Sequence, residues 1–134
     1  MSVTQTVYAE TLRVRATIAQ VNAGLELLPA LAGYAYRMID MVLIAVGGAA
    51  ATATSVDING TRATAAVKLL VVAVAALTQS AVVHAGIANA VVLADGASFT
   101  ALDANTAVTL GKAGSSLATS THIDVILTYV KDSA

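Results

Sequence analysis

Cysteine and tryptophan are absent from this chain, proline occurs once at Pro29, and charged residues fill only 11% of its 134 positions. Each shortage excludes a class of answers. Without cysteine there is no disulfide framework, no thiolate metal site and no thiol nucleophile, which fits a protein made in a reducing cytoplasm. The basic residues Arg13, Arg15, Arg37, Arg62, Lys68, Lys112 and Lys131 are scattered, whereas phosphate binding needs them clustered, so nucleic acid is not an expected partner. Long apolar runs are also missing. The longest uninterrupted one, Leu69–Leu77, lies between Lys68 and Thr78-Gln79-Ser80, and Met41–Ala51 contains Gly47 and Gly48. A spanning helix needs about 18 or more apolar residues in succession, so no membrane span is expected. Met1–Thr6 is polar and lacks the basic and apolar regions of a signal peptide.

What is present is small and apolar. Hydrophobic residues make up 57%, the mean hydropathy is +0.80, and the net charge is only -1. The excess comes mainly from alanine and valine. A monomer this poor in charge has little colloidal protection, and the simplest resolution is that other subunits or a host surface cover much of it. The length fits one domain, and a chain of this size buries roughly two-thirds of its unfolded surface.

Alternation is the recurring pattern. Over Tyr8–Ile18, Tyr8, Leu12, Val14, Ala16 and Ile18 face one way, and Thr11, Arg13, Arg15 and Thr17 the other. Val21–Gly33 reads as a connector around Pro29. Arg37–Val46 is apolar on both faces apart from Asp40, which predicts a central strand packed on both sides and ended by Gly47-Gly48. Ala53–Ile58 and Thr61–Val67 flank Asn59-Gly60, the strongest short-range hairpin signal because both turn positions accept positive φ. Asn59-Gly60-Thr61 also has the form of a glycosylation sequon, but the turn explains the same residues. Leu69–Leu77 fits a strand or a helical turn. Short strands follow at Ser80–Ala85, Ala88–Ala94, Ser98–Leu102 and Thr106–Gly111, separated by Gly86, Asp95-Gly96, Asp103-Ala104-Asn105 and the stretch 111–116. His122–Val130 alternates again, with Ile123, Val125, Leu127 and Tyr129 on one face. No clean internal repeat is visible. Many short strands with Gly, Asn and Asp turns predict an all-β, single-domain β-sandwich or β-barrel, jelly-roll or tulip-like, spanning 1–134. One short helix fits within it.

Chemistry-bearing constellations are thin. His84 and His122 are the only histidines; with Asp95, Asp103 or Asp124 they provide material for a metal or acid–base site. His122 and Asp124 share a strand face two residues apart, a geometry that permits ligation, but isolated polar residues on a partly wet face are the stronger explanation. Ser80, His84 and an aspartate supply the residue types of a triad, without a nucleophile elbow. Gly47-Gly48-Ala49 and Gly111-Lys112-Ala113-Gly114-Ser115 lack the phosphate-loop spacing, and Asp95-Gly96 and Asp103-Ala104-Asn105 lack the many-oxygen spacing of a calcium loop. Tyr8, Tyr34, Tyr36, Phe99 and Tyr129 are a thin set for a sugar-binding platform. The reading is therefore not an enzyme, with no catalytic, cofactor-binding or metal residues assigned and no cofactor.

Several segments nevertheless form a likeness: Leu28-Pro29-Ala30, Arg37-Met38-Ile39-Asp40, Gly47-Gly48-Ala49-Ala50-Ala51-Thr52, Ala75-Ala76-Leu77-Thr78-Gln79, Asp95–Asp103 and Thr121–Ile126. With these, most of the chain from about residue 25 resembles small virion proteins of tailed bacteriophages. The resemblance implies a capsid decoration, or cement, protein: β-rich, homo-oligomeric with a trimer favoured, bound to the major capsid protein at capsomer junctions on the virion's outer surface after synthesis in the host cytoplasm. It also implies that residues 1–7 form a flexible or partner-bound N-terminal arm that reaches neighbouring subunits. The main alternative is a head-fibre or receptor-binding module that recognises a host glycan. An enzyme or metal protein built on His84 and His122, and a subunit of a non-viral shell or pilus, are further readings.

Overall fold

The alternating segments become two antiparallel sheets laid face to face in the computed structural model, which describes residues 8–134. The chain runs through β1 (Glu10–Thr17), helix α1 (Ile18–Ala23), β2 (Leu25–Leu28), β3 (Tyr34–Val46), β4 (Ala51–Arg62), β5 (Ala65–Ala73), β6 (Val82–His84), β7 (Ala90–Val92), β8 (Val108–Ala118) and β9 (His122–Ser133). One sheet has the order β1-β9-β3-β6 and the other β2-β8-β4-β5-β7. This is the sandwich of the two expected architectures, with edges left open and the one short helix. The expected arm over 1–7 lies outside the described residues. No described helix is long and apolar enough to cross a membrane.

Period-two alternation builds the core. Leu12↔Leu127, Val14↔Val125 and Ala16↔Ile123 pair β1 with β9, while Leu43↔Val125 and Met41↔Leu127 pair β3 with β9, so these side chains share the inner face. Val56 and Ile58 of β4, Leu70 and Val72 of β5, and Val108 and Leu110 of β8 close over them from the opposite sheet, all buried. Burial of each such side chain contributes about 1.5–3 kcal/mol. Tyr36 sits in this core, edge-on to Tyr129 with ring centroids 5.6 Å apart. Its hydroxyl donates to the carbonyl of Pro29 at 2.5 Å and so ties down the 29–33 connector.

The structure corrects several of the expectations for individual elements. The first strand ends at Thr17, not Ile18, because Thr17 caps α1: its hydroxyl accepts from the Gln20 N–H, and the Gln20 side chain accepts from the Thr17 N–H. The connector 21–33 holds the end of that helix and β2. β3 is central, between β9 and β6, but only one of its faces enters the core; at the bulge between Met38 and Asp40, Ile39 is 46% exposed. The stretch 111–116 is not a separator, since β8 runs through it with irregular pairing to β4. Ser98–Leu102 is not a strand; it overlaps a 3-10 segment, Ala94–Phe99, in which Ser98 is buried, and Leu102 drops into the core.

The largest correction concerns Asn59-Gly60. β4 continues straight through these residues, with a bulge against β5 between Ile58 and Asn59. The hairpin turns instead at Ala63-Thr64, beyond the Arg62↔Ala65 pair, and both residues have positive φ, 52° and 61°. Two interactions explain the shift. A Cβ on Gly60 would come within 2.9 Å of the Leu102 side chain, so this glycine gives room to a core leucine. The Asp103 carboxylate accepts from the N–H of Ala63 at 3.0 Å and of Thr64 at 2.8 Å, holding the tight turn in a conformation those residues disfavour.

Candidate functional site

The three aspartates and two histidines singled out in the sequence do not converge on one site, and most have structural partners. Asp124 lies on the outer face of β9, directly opposite Arg15 of β1. Its carboxylate accepts from Arg15 Nε at 2.8 Å and a second guanidinium nitrogen at 3.0 Å, with Arg13 at 3.7 Å. The arginines cover it so fully that its side chain is only 5% exposed. The hydrogen bond from Arg15, reinforced by both positive charges, holds this carboxyl below the usual carboxylate range despite its burial. An aspartate committed in this way cannot serve His122, whose Nδ1 is 3.1 Å from the Thr121 hydroxyl.

His84 on β6 is 4.0 Å from the Asp40 carboxylate, and the other oxygen of that group accepts the Met41 N–H at 2.9 Å. Both side chains are about half exposed. Ser80, the serine of the residue set for a triad, has its N–H on the Ala45 carbonyl, and no hydrogen bond among the described residues joins it to His84. Asp103 is occupied by the hairpin turn. Asp95 lies in the left-handed region at φ 55° within the 94–99 segment. Among the described residues no three His, Cys, Asp or Glu side chains gather as a metal-binding group would require.

The glycine-rich stretches also have structural explanations. Gly47 and Gly48 have positive φ and press against Thr121 and the Thr119 carbonyl, where any side chain would collide. In the second stretch Lys112 Nζ donates to the Gly114 carbonyl at 2.7 Å, and Gly114 packs on Thr54. The remaining basic groups are likewise engaged. Lys68 Nζ meets Asp57 at 2.9 Å, Arg37 meets Asp132 at 3.0 Å, Lys131 meets Glu10 at 3.4 Å, and Arg62 donates to the Thr100 carbonyl at 3.1 Å. Of the tyrosines, Tyr36 is buried, while Tyr8 and Tyr34 are exposed.

Two features escaped the sequence reading. One is the buried chain on the outer side of β4, where Ser55 donates to Asp57 at 2.7 Å and Lys68 closes the other carboxylate oxygen. Only knowledge of the β4–β5 register could have found it. The other is the distribution of surface character. Between Lys68 and Asp95 the sequence has no Asp, Glu, Lys or Arg, and this stretch folds into most of β5, β6, β7 and their connections, which form one lateral side of the sandwich. Val82, Ile87 and Val91 on that side are 54%, 50% and 61% exposed. The opposite side, around β1, carries Glu10, Arg13 and Arg15. That asymmetry was legible as an uncharged run but acquires a location only from the topology.

No protein-family model, curated protein or solved structure matches the chain. What can be said of its role therefore rests on its own residues and surfaces.

Proposed function

We propose that this chain is a non-enzymatic virion structural protein that decorates and cements the outer surface of a phage capsid, binding the major capsid protein at capsomer junctions as a homo-oligomer. The observation that carries this reading is the side of the sandwich built from residues 69–94, a stretch without Asp, Glu, Lys or Arg, with its exposed Val82, Ile87 and Val91. Large apolar side chains at the edge of a domain with so few charges are what a surface covered in an assembly requires. The engagement of the basic residues by internal acceptors also supports contact through shape and apolar area rather than through a phosphate-binding face. Repeated weak contacts on a lattice bind strongly in sum, with no deep pocket needed on any one subunit. The resemblance to small phage virion proteins points to a capsid as that lattice.

The test is co-sedimentation of the purified protein with phage capsids that lack their outer-surface proteins. Saturable binding at a fixed ratio to the capsid subunit is the expected result. A protein that stays in the supernatant at every ratio, and binds glycans instead, contradicts the proposal and favours a receptor-binding module.

A further inference from the structure

Among the described residues four strands leave an edge open, β1 and β6 in one sheet and β2 and β7 in the other. Outward N–H and C=O groups on such an edge invite another strand, and charged side chains are a common protection. β1 carries Glu10, Arg13 and Arg15, and β2 carries Glu26, whereas β6 and β7 carry no Asp, Glu, Lys or Arg. The β7 edge is partly closed by its own turn, since Gly86 N–H donates to the Ala90 carbonyl at 2.9 Å and Ala90 N–H to the Ile87 carbonyl at 3.0 Å.

β6 has no such cover among the described residues. Ala85 N–H donates to the Met41 carbonyl at 2.9 Å, and the register pairs Leu43 with Val83. In an antiparallel ladder the bonding direction alternates along the strand. The backbone of Val83 therefore points into the sheet toward β3, and the N–H and C=O groups of Val82 and His84 point out.

We infer that β6 is the contact between two copies of this chain, paired antiparallel about a two-fold axis at Val83. In that register Val82 of each copy exchanges both backbone hydrogen bonds with His84 of the second copy, and the two Val83 side chains meet beside the cores. The two four-stranded sheets then become one continuous sheet. A second copy is the occupant these observations favour because the edge complements itself. Each outward donor meets an acceptor by symmetry, β6 itself carries no Lys, Arg, Asp or Glu, the Asp40 carboxylate beside it on β3 lies 4.0 Å from His84, and the exposed Ile87 beyond one β6 faces the 79–81 segment before the other. A two-fold contact of identical patches closes on itself, so the unit is a dimer and not the trimer that the phage resemblance favours. The inference deepens the assembly reading by naming its subunit contact. It is measured on the isolated protein, so failure of the dimer and failure of capsid binding are read separately.

Sedimentation equilibrium from micromolar to about 1 mM protein tests it, a range that reaches even weak association. The wild-type chain is expected to shift from 13.4 kDa to twice that mass. Val82→Pro removes one outward donor, and Val82→Lys puts a charge in the seam; each is expected to weaken the dimer at least ten-fold with an unchanged circular dichroism spectrum. Should the proline variant fail to fold, the lysine variant carries the test alone. Thr11→Lys on the β1 edge is expected to leave dimerisation intact. A wild-type monomer throughout the range, a trimer, or a dimer indifferent to Val82→Lys overturns the inference.

Discussion

Replacing Asp103 with alanine tests the reasoning behind the displaced hairpin turn. The Asp103 carboxylate accepts two backbone N–H groups at the tip of the β4–β5 hairpin, where Ala63 and Thr64 both adopt positive φ. A non-glycine residue in the left-handed region costs roughly 1–2 kcal/mol, and a hydrogen bond to a charged group contributes about 1.5–3 kcal/mol. These bonds are solvent-exposed, so the lower end applies, and the expected loss for Asp103→Ala is about 2 kcal/mol. For a domain of this size that corresponds to a fall in Tm of about 6–10 °C. The Asp103 N–H bond to the Thr61 carbonyl and the Thr106 hydroxyl bond to the Asp103 carbonyl are independent of the side chain, so the substitution isolates the carboxylate. Ala63→Asn with Thr64→Gly, residues that accept positive φ, is expected to recover about 1–2 kcal/mol in the alanine background. Urea unfolding with a constant m-value is the assay. A loss below about 0.5 kcal/mol, or destabilisation by Asn-Gly at 63–64, would refute the argument and return the turn to Asn59-Gly60.

Three further outcomes follow from the packing and electrostatics. Gly60→Ala is expected to cost about 1–3 kcal/mol by overpacking against Leu102 and Leu69, and adding Leu102→Ala should make the pair cost less than the sum of the two single changes, as a double-mutant cycle reads directly. Arg15→Ala leaves the buried Asp124 carboxylate with only Arg13 nearby, and a measurable loss of stability at neutral pH is expected in chemical denaturation, smaller than for a fully buried pair because Arg15 is half exposed. The Asp124 pKa is depressed by Arg15, so the stability it confers is complete above the unfolded carboxylate value of about 3.9 and is lost as pH falls through the lower folded value. The wild-type protein should therefore show a steeper acid limb than Arg15→Ala, and parallel limbs would contradict that assignment.

The sheet-forming alternation of Glu10–Thr17 and His122–Val130 was legible because each strand buries one face, and a one-residue slip would expose Leu12 or Leu127. What escaped the sequence depended on contacts far apart along the chain. Asn59-Gly60 satisfies every local rule for a turn, yet Leu102 needs the space at Gly60, and Asp103 supplies the support that lets Ala63-Thr64 turn in its place. Local propensity was overridden by packing across a loop. The stretch 111–116 misled for the same reason, since Gly114 accommodates Thr54 within an irregularly paired strand rather than ending it. For the candidate site, the residue types were readable but their partners were not. Asp124 is explained by Arg15 and Arg13 only once β1 is known to lie beside β9. The uncharged run from Leu69 to Ala94 could be seen in the sequence, but the topology was needed to place it on one side of the sandwich.

The most direct test of the assembly role is electron-microscopic imaging of phage capsids, stripped of their outer-surface proteins and incubated with the purified chain. Ordered density at capsomer junctions is expected, with the β6–β7 side buried in a contact. Bare junctions at saturating protein, or density that leaves that side facing solvent, would contradict the assembly role.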